Sequence, residues 1–445
     1  MRRILISGGG YAGFYTAWKL EKHLHRGEAE VTLVDPLPYM TYQPFLPEVA
    51  AGSIEPRHAV VPYRRHLRRT TIVPGTVTAI DHGRRTVTVT GEMGFEHPLS
   101  YDVLVVTAGG VTRTFPIPGV AEEAIGMKNI EEAAAVRDRV LTRFDLAAGV
   151  PPGPARDRLL TFVVIGGGFA GVEVFGELRS LATALLRRYP EIKAEDIHFH
   201  LIELADRILP EVSARTARWV VGNLTARGAR VHLRTSVTSV VGGVVQTSTG
   251  ETFEADTVIW TAGVAPSPMV RATDLPVDAR GRLRVRADLR VADDDGVVAD
   301  AWGAGDVAAV PDLTGGGVGG FTVPNAQHAF RQGKLMAANL VADLRGEPPR
   351  EYVHRNLGSV ATLGLGIGVF QSGPIAVRGF PAWLMHRGYH VLAVPGWERK
   401  WRVLFGWLLN FFLGRDAVSL AAREHPRAAF EQFAARAAPS THAPT

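Results

Sequence analysis

One pattern occurs in both halves of the chain, and it limits the possible folds more than any other feature. The segment ILISGGGYAG (4–13) returns as FVVIGGGFAG (162–171). In each copy, the apolar run indicates a buried parallel strand, and the residues after the glycines have helical spacing. A second apolar run follows and ends in an acid, Asp35 or Glu203. Both copies therefore predict a strand, a glycine turn, a helix and a strand that ends in a carboxylate.

Units of this kind can bind a dinucleotide. The first glycine permits a tight turn, the second lets the backbone approach a pyrophosphate, and the third lets helix and strand pack closely. The helix N-terminus attracts phosphates, and the carboxylate can accept hydrogen bonds from ribose hydroxyls. A structural glycine turn and an exposed strand-end acid are the alternatives. Two complete copies favour two dinucleotide sites, whose predicted residues are Gly8, Gly10, Gly13 and Asp35, and Gly166, Gly168, Gly171 and Glu203.

Two such sites suggest a bound flavin, FAD, in one domain and NADH in the other. Glu203 favours NADH over NADPH because a carboxylate repels a 2′-phosphate, although Arg207 nearby weakens this preference. Asp306, after Gly305, would lie near the ribityl-phosphate portion of the flavin; an Asx turn or a helix cap is the alternative. The chain has no cysteine, which excludes disulfides, thiolate metal sites, iron–sulfur ligation and cysteine redox chemistry. Any redox chemistry must come from a bound cofactor.

The repeat also divides the chain into domains. Apolar strands that end in Ala108-Gly109 and Ala262-Gly263 are a second correspondence between the halves, whereas the chain after residue 300 does not repeat. The predicted fold is α/β, with two Rossmann-like dinucleotide-binding domains and a C-terminal amphipathic-helix region that anchors the protein to a membrane. The predicted parts are an FAD-binding domain over 1–115 and 300–350, a helical connection over 116–157, an NADH-binding domain over 158–299, and a membrane-association region over 351–445.

The segment between Arg399 and Arg415 predicts an interfacial helix. Its polar or small residues form one narrow helical stripe, at Arg399, Arg402, Gly406 and Asn410, and the rest is largely apolar. A helix of this length reaches about 25 Å, which is short for a bilayer. Flanking cations and tryptophans suit lipid headgroups, so we expect it to lie on the membrane surface. A dimer interface or a core helix is the alternative.

Charge and hydropathy narrow the partners and the location. The net charge of +5 over 445 residues gives no indication of nucleic-acid binding. No apolar stretch of about 18 residues predicts a membrane-spanning helix. The first apolar run is too short for a signal peptide, so we expect no export.

Four further stretches narrow the match to one family. They are YQPFLPEVAAG (42–52), the second glycine motif with its helix (166–178), PNAQHAFRQG (324–333) and WERKWRV (397–403). With the glycine motifs, they resemble type II NADH dehydrogenases, the single-subunit NADH:quinone oxidoreductases of the two-dinucleotide-binding-domain flavoprotein superfamily. The resemblance covers nearly the whole chain. It implies a glutathione-reductase-like FAD/NAD(P) fold and an enzyme that lies on a membrane surface and pumps no protons.

The resemblance also implies roles for individual residues. Glu173 matches the acid beside the nicotinamide and flavin rings, although an ordinary first-turn glutamate is the alternative. Gln327, with Ala326, matches the pair at the quinone end of the flavin, where an amide can donate to a quinone carbonyl; a helix cap or packing role is the alternative. The other matches are Tyr11, Ala12, Gln43, Pro44, Ala108, Gly109, Gly305, Asp306 and Ala326 for FAD, a looser match at Val77 near the adenosine, and Ala262 and Gly263 for NADH.

Two positions depart from the family pattern. Pro47 stands where many members have an aromatic residue, and Ile367 stands where some relatives have a lysine near the flavin. These departures leave the preferred quinone, menaquinone or ubiquinone, open.

The sequence therefore predicts FAD-dependent oxidation of NADH with electron transfer to a membrane quinone and without proton pumping. We expect a peripheral protein on the cytoplasmic face of the cell membrane, with no metal site and no nucleic-acid partner. The resemblance alone suggests a homodimer through the C-terminal helices. The alternatives are a soluble NADH-dependent reductase of the ferredoxin or rubredoxin type, and a non-catalytic redox sensor that binds flavin and NADH.

Overall fold

The structure is a computed structural model that describes residues 1–317, 319–355 and 358–420, together with residues 427, 430 and 431. The other residues of the predicted C-terminal region 351–445 lie outside the described residues. The helices used below are named in chain order as α1 (Tyr11–His23), α2 (Leu46–Ala50), α3 (Ile130–Ala148), α4 (Phe169–Leu185), α5 (Ala214–Ala226), α6 (Ala326–Leu344), α7 (Phe380–Ala393) and α8 (Trp397–Leu413).

The first sheet forms around the first glycine motif. Its strand Arg2–Ser7 pairs in parallel with Ala29–Asp35 and with Val103–Val106. All four residues of Val103–Val106 are buried, as expected for a parallel strand that is covered on both faces. In the described chain the strand order of this sheet is Arg290–Ala292, Val297–Gly303, Val103–Val106, Arg2–Ser7, Ala29–Asp35 and Thr71–Pro74.

The chain returns to this first sheet after the second domain. Strand Val297–Gly303 pairs in parallel with Val103–Val106, and Arg290–Ala292 pairs with it in antiparallel orientation. The expected domain boundary at residue 300 therefore falls inside a strand. Its first four residues are exposed or half-buried, and its last three are buried, so only the end of the strand has the apolar pattern of a core strand.

The second sheet repeats the arrangement around the second glycine motif. Strand Thr161–Ile165 is fully buried and pairs in parallel with His198–Ile202 and Thr257–Trp260. A short strand from the predicted helical connection also joins this sheet. Among the described residues, the order is Ala124–Gly126, Thr257–Trp260, Thr161–Ile165, His198–Ile202 and Ala229–His232.

Small sheets surround the two domains. Three of them have three strands each in the described part of the chain: Thr76–Asp81, Thr86–Thr90 and Glu96–Ser100; Val237–Ser239, Val244–Thr247 and Thr252–Glu254; and Ser359–Thr362, Gly368–Ser372 and Ile375–Gly379. The two-stranded pairs are Tyr39–Thr41 with Val60–Pro62, Gly110–Thr112 with Val264–Pro266, and Leu283–Arg284 with Ala308–Ala309.

The C-terminal part packs against both domains. The sheet that ends at Gly379 leads directly into α7, and α8 follows after a short connection. A helix, Trp397–Leu413, is present where the sequence predicts an interfacial one; its location at a membrane stays a prediction. Within the described residues, no helix is long and apolar enough to cross a membrane.

Helices α1 and α6 meet at a glycine, which brings the two segments of the first domain together. Thr16 in α1 donates a hydrogen bond to the carbonyl oxygen of Gly333 in α6 at 3.1 Å. A Cβ on Gly333 would overlap the backbone carbonyl of Ala12 in α1. Since backbone atoms cannot rotate away, any side chain at this position would push the helices apart.

We therefore expect Gly333→Ala to lower the free energy of unfolding by about 1–3 kcal/mol, because it overpacks a helix contact. Gly222→Ala is the matched control, since Gly222 lies in α5 with open space where a Cβ would stand. The control should gain up to about 1 kcal/mol, the usual difference between glycine and alanine in a helix. Chemical denaturation of both variants checks this prediction, and an equally stable Gly333→Ala would contradict the close contact.

Candidate active site

A cleft of about 540 Å³ lies at the carboxyl ends of the first sheet, the edge at which such sheets bind ligands. It extends from the first glycine turn along the N-terminal end of α1 to the start of α6. The structure brings most of the predicted flavin residues together here: Gly8, Gly10, Tyr11, Ala12, Asp35, Gln43, Ala108, Gly109, Gly305, Asp306 and Ala326 line it.

The glycine turn leaves no room for a side chain at Gly8 or Gly13. Gly8 has a φ of +96°, and a Cβ there would lie 2.6 Å from the carbonyl oxygen of Thr107. Gly13 does not line the cleft. Instead, its missing side chain lets α1 pack on the turn, because a Cβ would overlap the carbonyl of Gly8. This is the packing role of the third glycine in such units.

The two strand-end acids make matching contacts. Asp35 accepts hydrogen bonds from the amides of Gly9 at 2.6 Å and Leu37 at 2.8 Å. Glu203 accepts from the amides of Gly167 at 2.5 Å and Ala205 at 2.7 Å. Burial raises the pKa of Asp35. Because a carboxylate has about four acceptor sites, each acid is held by its own glycine turn and can still accept from a ribose hydroxyl.

Lys128 is a cleft residue that the sequence reasoning missed. Its ammonium lies 2.8 Å from the carboxylate of Asp306, and both residues line the cleft. Lys128 directly precedes a capping box in which Asn129 and Glu132 close the first turn of α3. The spacing of Asn129 and Glu132 would have indicated this helix start. Asp306 is therefore part of an ion pair rather than a helix cap.

Val77 does not line the cleft, so its predicted contact with the adenosine is not supported by the lining. It is buried in strand Thr76–Asp81, opposite Val89 in the adjacent strand. Its β-branched side chain packs in this small sheet, which accounts for an apolar residue at this position without a ligand.

A small cavity of about 50 Å³ adjoins the cleft, since Tyr11 and Ala326 line both. Pro44 and Gln327 line this cavity and not the cleft. Gln327 is not the cap of α6, because the side chain of Asn325 accepts the amide of His328 at 2.8 Å. Aromatic and α7 residues complete the lining: Tyr15, Tyr42, Phe330, Arg331, Tyr389, His390 and Ala393. We refer to this space as the small cavity.

Glu173 lies in α4 but does not line the cleft. It is buried, it accepts the amide of Thr362 at 3.1 Å, and its carboxylate lies 3.1 Å from Nε2 of His386 in α7. Burial alone would lower the pKa of His386, but the carboxylates, above all that of Glu173, raise it above its ordinary value. Glu173 is therefore one partner of a buried charge pair and not an exposed first-turn glutamate.

Two more charge pairs lie between the domains and the C-terminal helices. Glu48 in α2 lies 2.9 Å from Arg387 in α7 and accepts from the indole of Trp407 in α8 at 2.8 Å. Glu177 in α4 lies 3.3 Å from Arg415. Burial raises the pKa of Glu48. We refer to these pairs, together with Glu173 and His386, as the buried charge cluster.

The second glycine turn has the geometry of the first. Gly166 has a φ of +110°, and a Cβ there would lie 2.6 Å from the hydroxyl of Thr261. Gly168 precedes α4, whose residue Gly171 packs on the turn. Ala262 and Gly263 follow strand Thr257–Trp260 at the same end of the sheet.

Arg207 points into its own loop. Its guanidinium donates to the carbonyl of Pro210 at 2.7 Å and to that of Val212 at 3.4 Å. The structure thus gives Arg207 partners other than a 2′-phosphate, and Glu203 remains the charged residue tied to the turn.

Comparisons with known proteins agree with this geometry. The family described as Pyridine nucleotide-disulphide oxidoreductase matches residues 2–333. The type II NADH:quinone oxidoreductase Ndh of Mycobacterium tuberculosis is 30% identical over 93% of this chain and 89% of its own length. The mitochondrial internal alternative NAD(P)H-ubiquinone oxidoreductase A1 of Arabidopsis thaliana is also 30% identical, over 93% of this chain and 85% of its own length.

The fold is also similar to a solved structure. NDH2 from Plasmodium falciparum in complex with NADH superposes with a TM-score of 0.84 at 19% identity, and the match covers 94% of this chain and 99% of that chain. The resemblance seen in the sequence is confirmed. The chain belongs to the pyridine nucleotide-disulphide oxidoreductase family and, within it, to the type II NADH:quinone oxidoreductases.

Proposed function

We propose that this protein oxidises NADH and passes the electrons through a bound FAD to a membrane quinone, without pumping protons. The observation that carries the proposal is the contact between the cleft and the small cavity, which share Tyr11 and Ala326. A flavin in the cleft would then meet an acceptor in the small cavity. Membership of the type II NADH:quinone oxidoreductases supports the same activity.

The residues of the cleft fit a flavin dinucleotide. The amides at the start of α1 would bind the pyrophosphate, Asp35 would bind the ribose, and Lys128 would supply a positive charge beside Asp306. The crowded glycine turn is the kind of backbone surface that a pyrophosphate approaches closely. When bound, the flavin supplies the redox chemistry, and the protein supplies position and electrostatics.

The second glycine turn would bind NADH. The amides at the start of α4 would bind its pyrophosphate, and Glu203 would accept from the adenosine ribose. Since Arg207 is already engaged with Pro210 and Val212, no cation on that loop offsets the charge of Glu203. We therefore propose a preference for NADH over NADPH.

Gln327 would orient the quinone in the small cavity. Its amide can donate to a carbonyl oxygen that gains negative charge on reduction. The departures at Pro47 and Ile367 line neither this cavity nor the cleft, so they would act on the quinone only through packing. The choice between menaquinone and ubiquinone stays open.

We also propose that α7 and α8 attach the protein to the cytoplasmic face of the cell membrane. Two polar residues of α8 face the protein: Arg399 donates to the carbonyl of Arg57, and Asn410 donates to that of Ser53. Its apolar side faces outward, and Phe411 is 81% exposed. The other exposed apolar side chains of these helices are Phe380, Leu384, Met385, Tyr389, Leu392, Trp397, Trp401, Leu404, Phe405, Leu408, Leu409, Phe412 and Leu413.

An outward apolar face of this size needs an apolar environment. A bilayer surface supplies one, and the exposed cation Arg402 in α8 suits anionic headgroups. The same face would also deliver a lipid-soluble quinone to α7, which lines the small cavity. A homodimer through these helices stays a prediction and is the competing way to cover the face.

The activity itself is tested with purified, flavin-loaded protein. We expect sustained oxidation of NADH that depends on added quinone, and much slower oxidation of NADPH because of Glu203. Flavin reduction without sustained turnover would favour a redox sensor. A strong preference for a small iron–sulfur protein over quinone would favour the soluble reductase.

We expect substitutions of the two strand-end acids, Asp35 and Glu203, to impair different steps, flavin binding and NADH binding. Asp35→Ala should purify with less flavin, whereas Glu203→Ala should keep its flavin and have a KM for NADH at least about tenfold higher, since a hydrogen bond to a charged group contributes about 1.5–3 kcal/mol. Glu203→Ala should also discriminate less against NADPH. Absorbance of the purified proteins and steady-state kinetics measure both effects. Loss of flavin in both variants would contradict the assignment of two separate sites.

Membrane attachment is tested by substitutions on the exposed face of α8. Removing the whole helix would also remove Trp407 and leave Glu48 with fewer partners, so point substitutions are cleaner. Leu409→Ser with Phe412→Ser should weaken sedimentation with anionic phospholipid vesicles by at least about tenfold, because each buried apolar side chain contributes about 1.5–3 kcal/mol. Phe95→Ser is the control, since Phe95 is equally exposed but lies on the first domain.

The control variant should bind vesicles like the unmodified protein. Absence of vesicle binding by the unmodified protein, with a dimer in light scattering that the double substitution dissociates, would contradict the membrane assignment and favour a dimer interface.

A further inference from the structure

A tyrosine and a histidine form a hydrogen-bonded pair at the small cavity. The hydroxyl of Tyr42 lies 3.1 Å from Nδ1 of His390. Both residues line the cavity, and they are only 3% and 8% exposed. Neither residue belongs to the glycine turns or to the Ala326-Gln327 pair, and the proposed function has so far given them no task.

The groups around His390 determine how it holds a proton. His386, one turn earlier on α7, has its ring centroid 4.5 Å away, and Tyr389 lies beside it on the same helix. From other elements, Tyr42 bonds to it, and Tyr11 and Arg331 line the same cavity. Burial, and next the charge of His386, lower the pKa of His390 well below its ordinary value. Burial raises the pKa of Tyr42, so both members of the pair are neutral at pH 7.

The chemistry of quinone reduction needs a proton donor at this place. A quinone that receives two electrons must also take up two protons, and an unprotonated oxyanion is costly in a buried cavity. Apolar and aromatic side chains form much of the lining, including Pro44, Phe330 and Ala393. A neutral proton donor is buried in such a site with little loss of free energy, whereas an isolated charged donor loses its hydration.

We infer that Tyr42 and His390 form a proton relay that delivers one of the two protons to the quinone in the small cavity. The inference rests on the proposed function, because it needs a quinone that is being reduced in this cavity. It assigns a catalytic role to Tyr42, which would contact the substrate oxygen, and to His390, which would replace the proton.

Bonds formed and bonds broken balance in the relay, because the protons move in one step. The O–H bond of Tyr42 breaks as the O–H bond of the quinol forms, and Nδ1–H of His390 gives its proton to the tyrosine oxygen. Nε2 of His390 takes up a proton in the same step, so that neither a phenolate nor an imidazolate is left. The two electrons come from the proposed oxidation of NADH, and the second quinol proton comes from solvent.

The proton that Nε2 takes up comes from outside the protein. His386 lies beside His390, with ring centroids 4.5 Å apart. The carboxylates of Glu173, Glu48 and Glu177 raise the pKa of His386 despite its burial, and the charge of His386 adds to burial in lowering the pKa of His390. His390 is therefore kept neutral before the transfer.

The chain offers a matched pair for comparison. His82 and Tyr101 are also buried and bonded through Nδ1 and the hydroxyl, at 3.0 Å. Nε2 of His82 lies 3.0 Å from the carbonyl of Ala299, and neither residue lines the cleft or the small cavity. This second pair has the same contact without access to a substrate, so Tyr101→Phe controls for the loss of a buried tyrosine hydroxyl.

The test separates the two half-reactions by stopped-flow absorbance of the flavin. In Tyr42→Phe and His390→Ala, reduction of the flavin by NADH should match that of the unmodified protein. Reoxidation by a saturating water-soluble quinone should slow by on the order of 10²-fold, the usual contribution of general acid catalysis. Tyr101→Phe should leave both steps unchanged. Normal flavin content and normal reduction by NADH show that each variant is folded.

Adding imidazole to the buffer distinguishes a proton-transfer role of His390 from a purely structural one. It should restore reoxidation of His390→Ala in proportion to its concentration, and it should have no effect on Tyr42→Phe, which keeps its histidine. The relay is wrong if both variants reoxidise at the unmodified rate, or if His390→Ala is slow but imidazole does not restore it. Absence of quinone-dependent turnover in the unmodified protein would instead contradict the proposed function.

Discussion

The buried charge cluster fixes the position in which the C-terminal helices pack against the two domains. Arg387 and Arg415, from α7 and the segment after α8, meet Glu48 and Glu177 of α2 and α4 inside the protein. Loss of one partner from such a pair leaves an uncompensated buried charge and costs about 3–5 kcal/mol. The helices therefore cannot shift without breaking these contacts. The cleft, the small cavity and the outward apolar face consequently keep fixed positions relative to one another.

The orientation of α8 follows from the same contacts. Two of its side chains form hydrogen bonds inside the protein, where Trp407 donates to Glu48 and Asn410 donates to the carbonyl of Ser53. Leucine and phenylalanine side chains are then left outside, which is the reverse of a helix on the surface of a water-soluble domain. The amphipathic pattern was visible in the sequence, but the side that faces the protein was not, because it depends on buried acids far away in the chain.

The sequence predicted most accurately those features that depend on residues close together in the chain. Each glycine turn, the helix after it and the acid that bonds to it lie within one strand–turn–helix–strand unit, and backbone crowding at Gly8 and Gly166 explains the motif. Contacts across the chain were missed. Lys128 meets Asp306, and Tyr42 meets His390, only after distant segments have packed. Val77 does not line the cleft, and the sequence has no signature that separates an apolar residue packed in a small sheet from one that lies against a ligand.

The position of His386 connects the two ends of the proposed reaction. It lies 3.1 Å from Glu173, on the helix that follows the second glycine turn, and its ring is 4.5 Å from that of His390 at the small cavity. Residues four apart lie on one face of a helix, so α7 places the two histidine rings side by side. A proton on His386 balances Glu173 and opposes a second proton on His390. Coupled groups of this kind titrate together, so a change in the charge of His386 also changes the affinity of His390 for a proton.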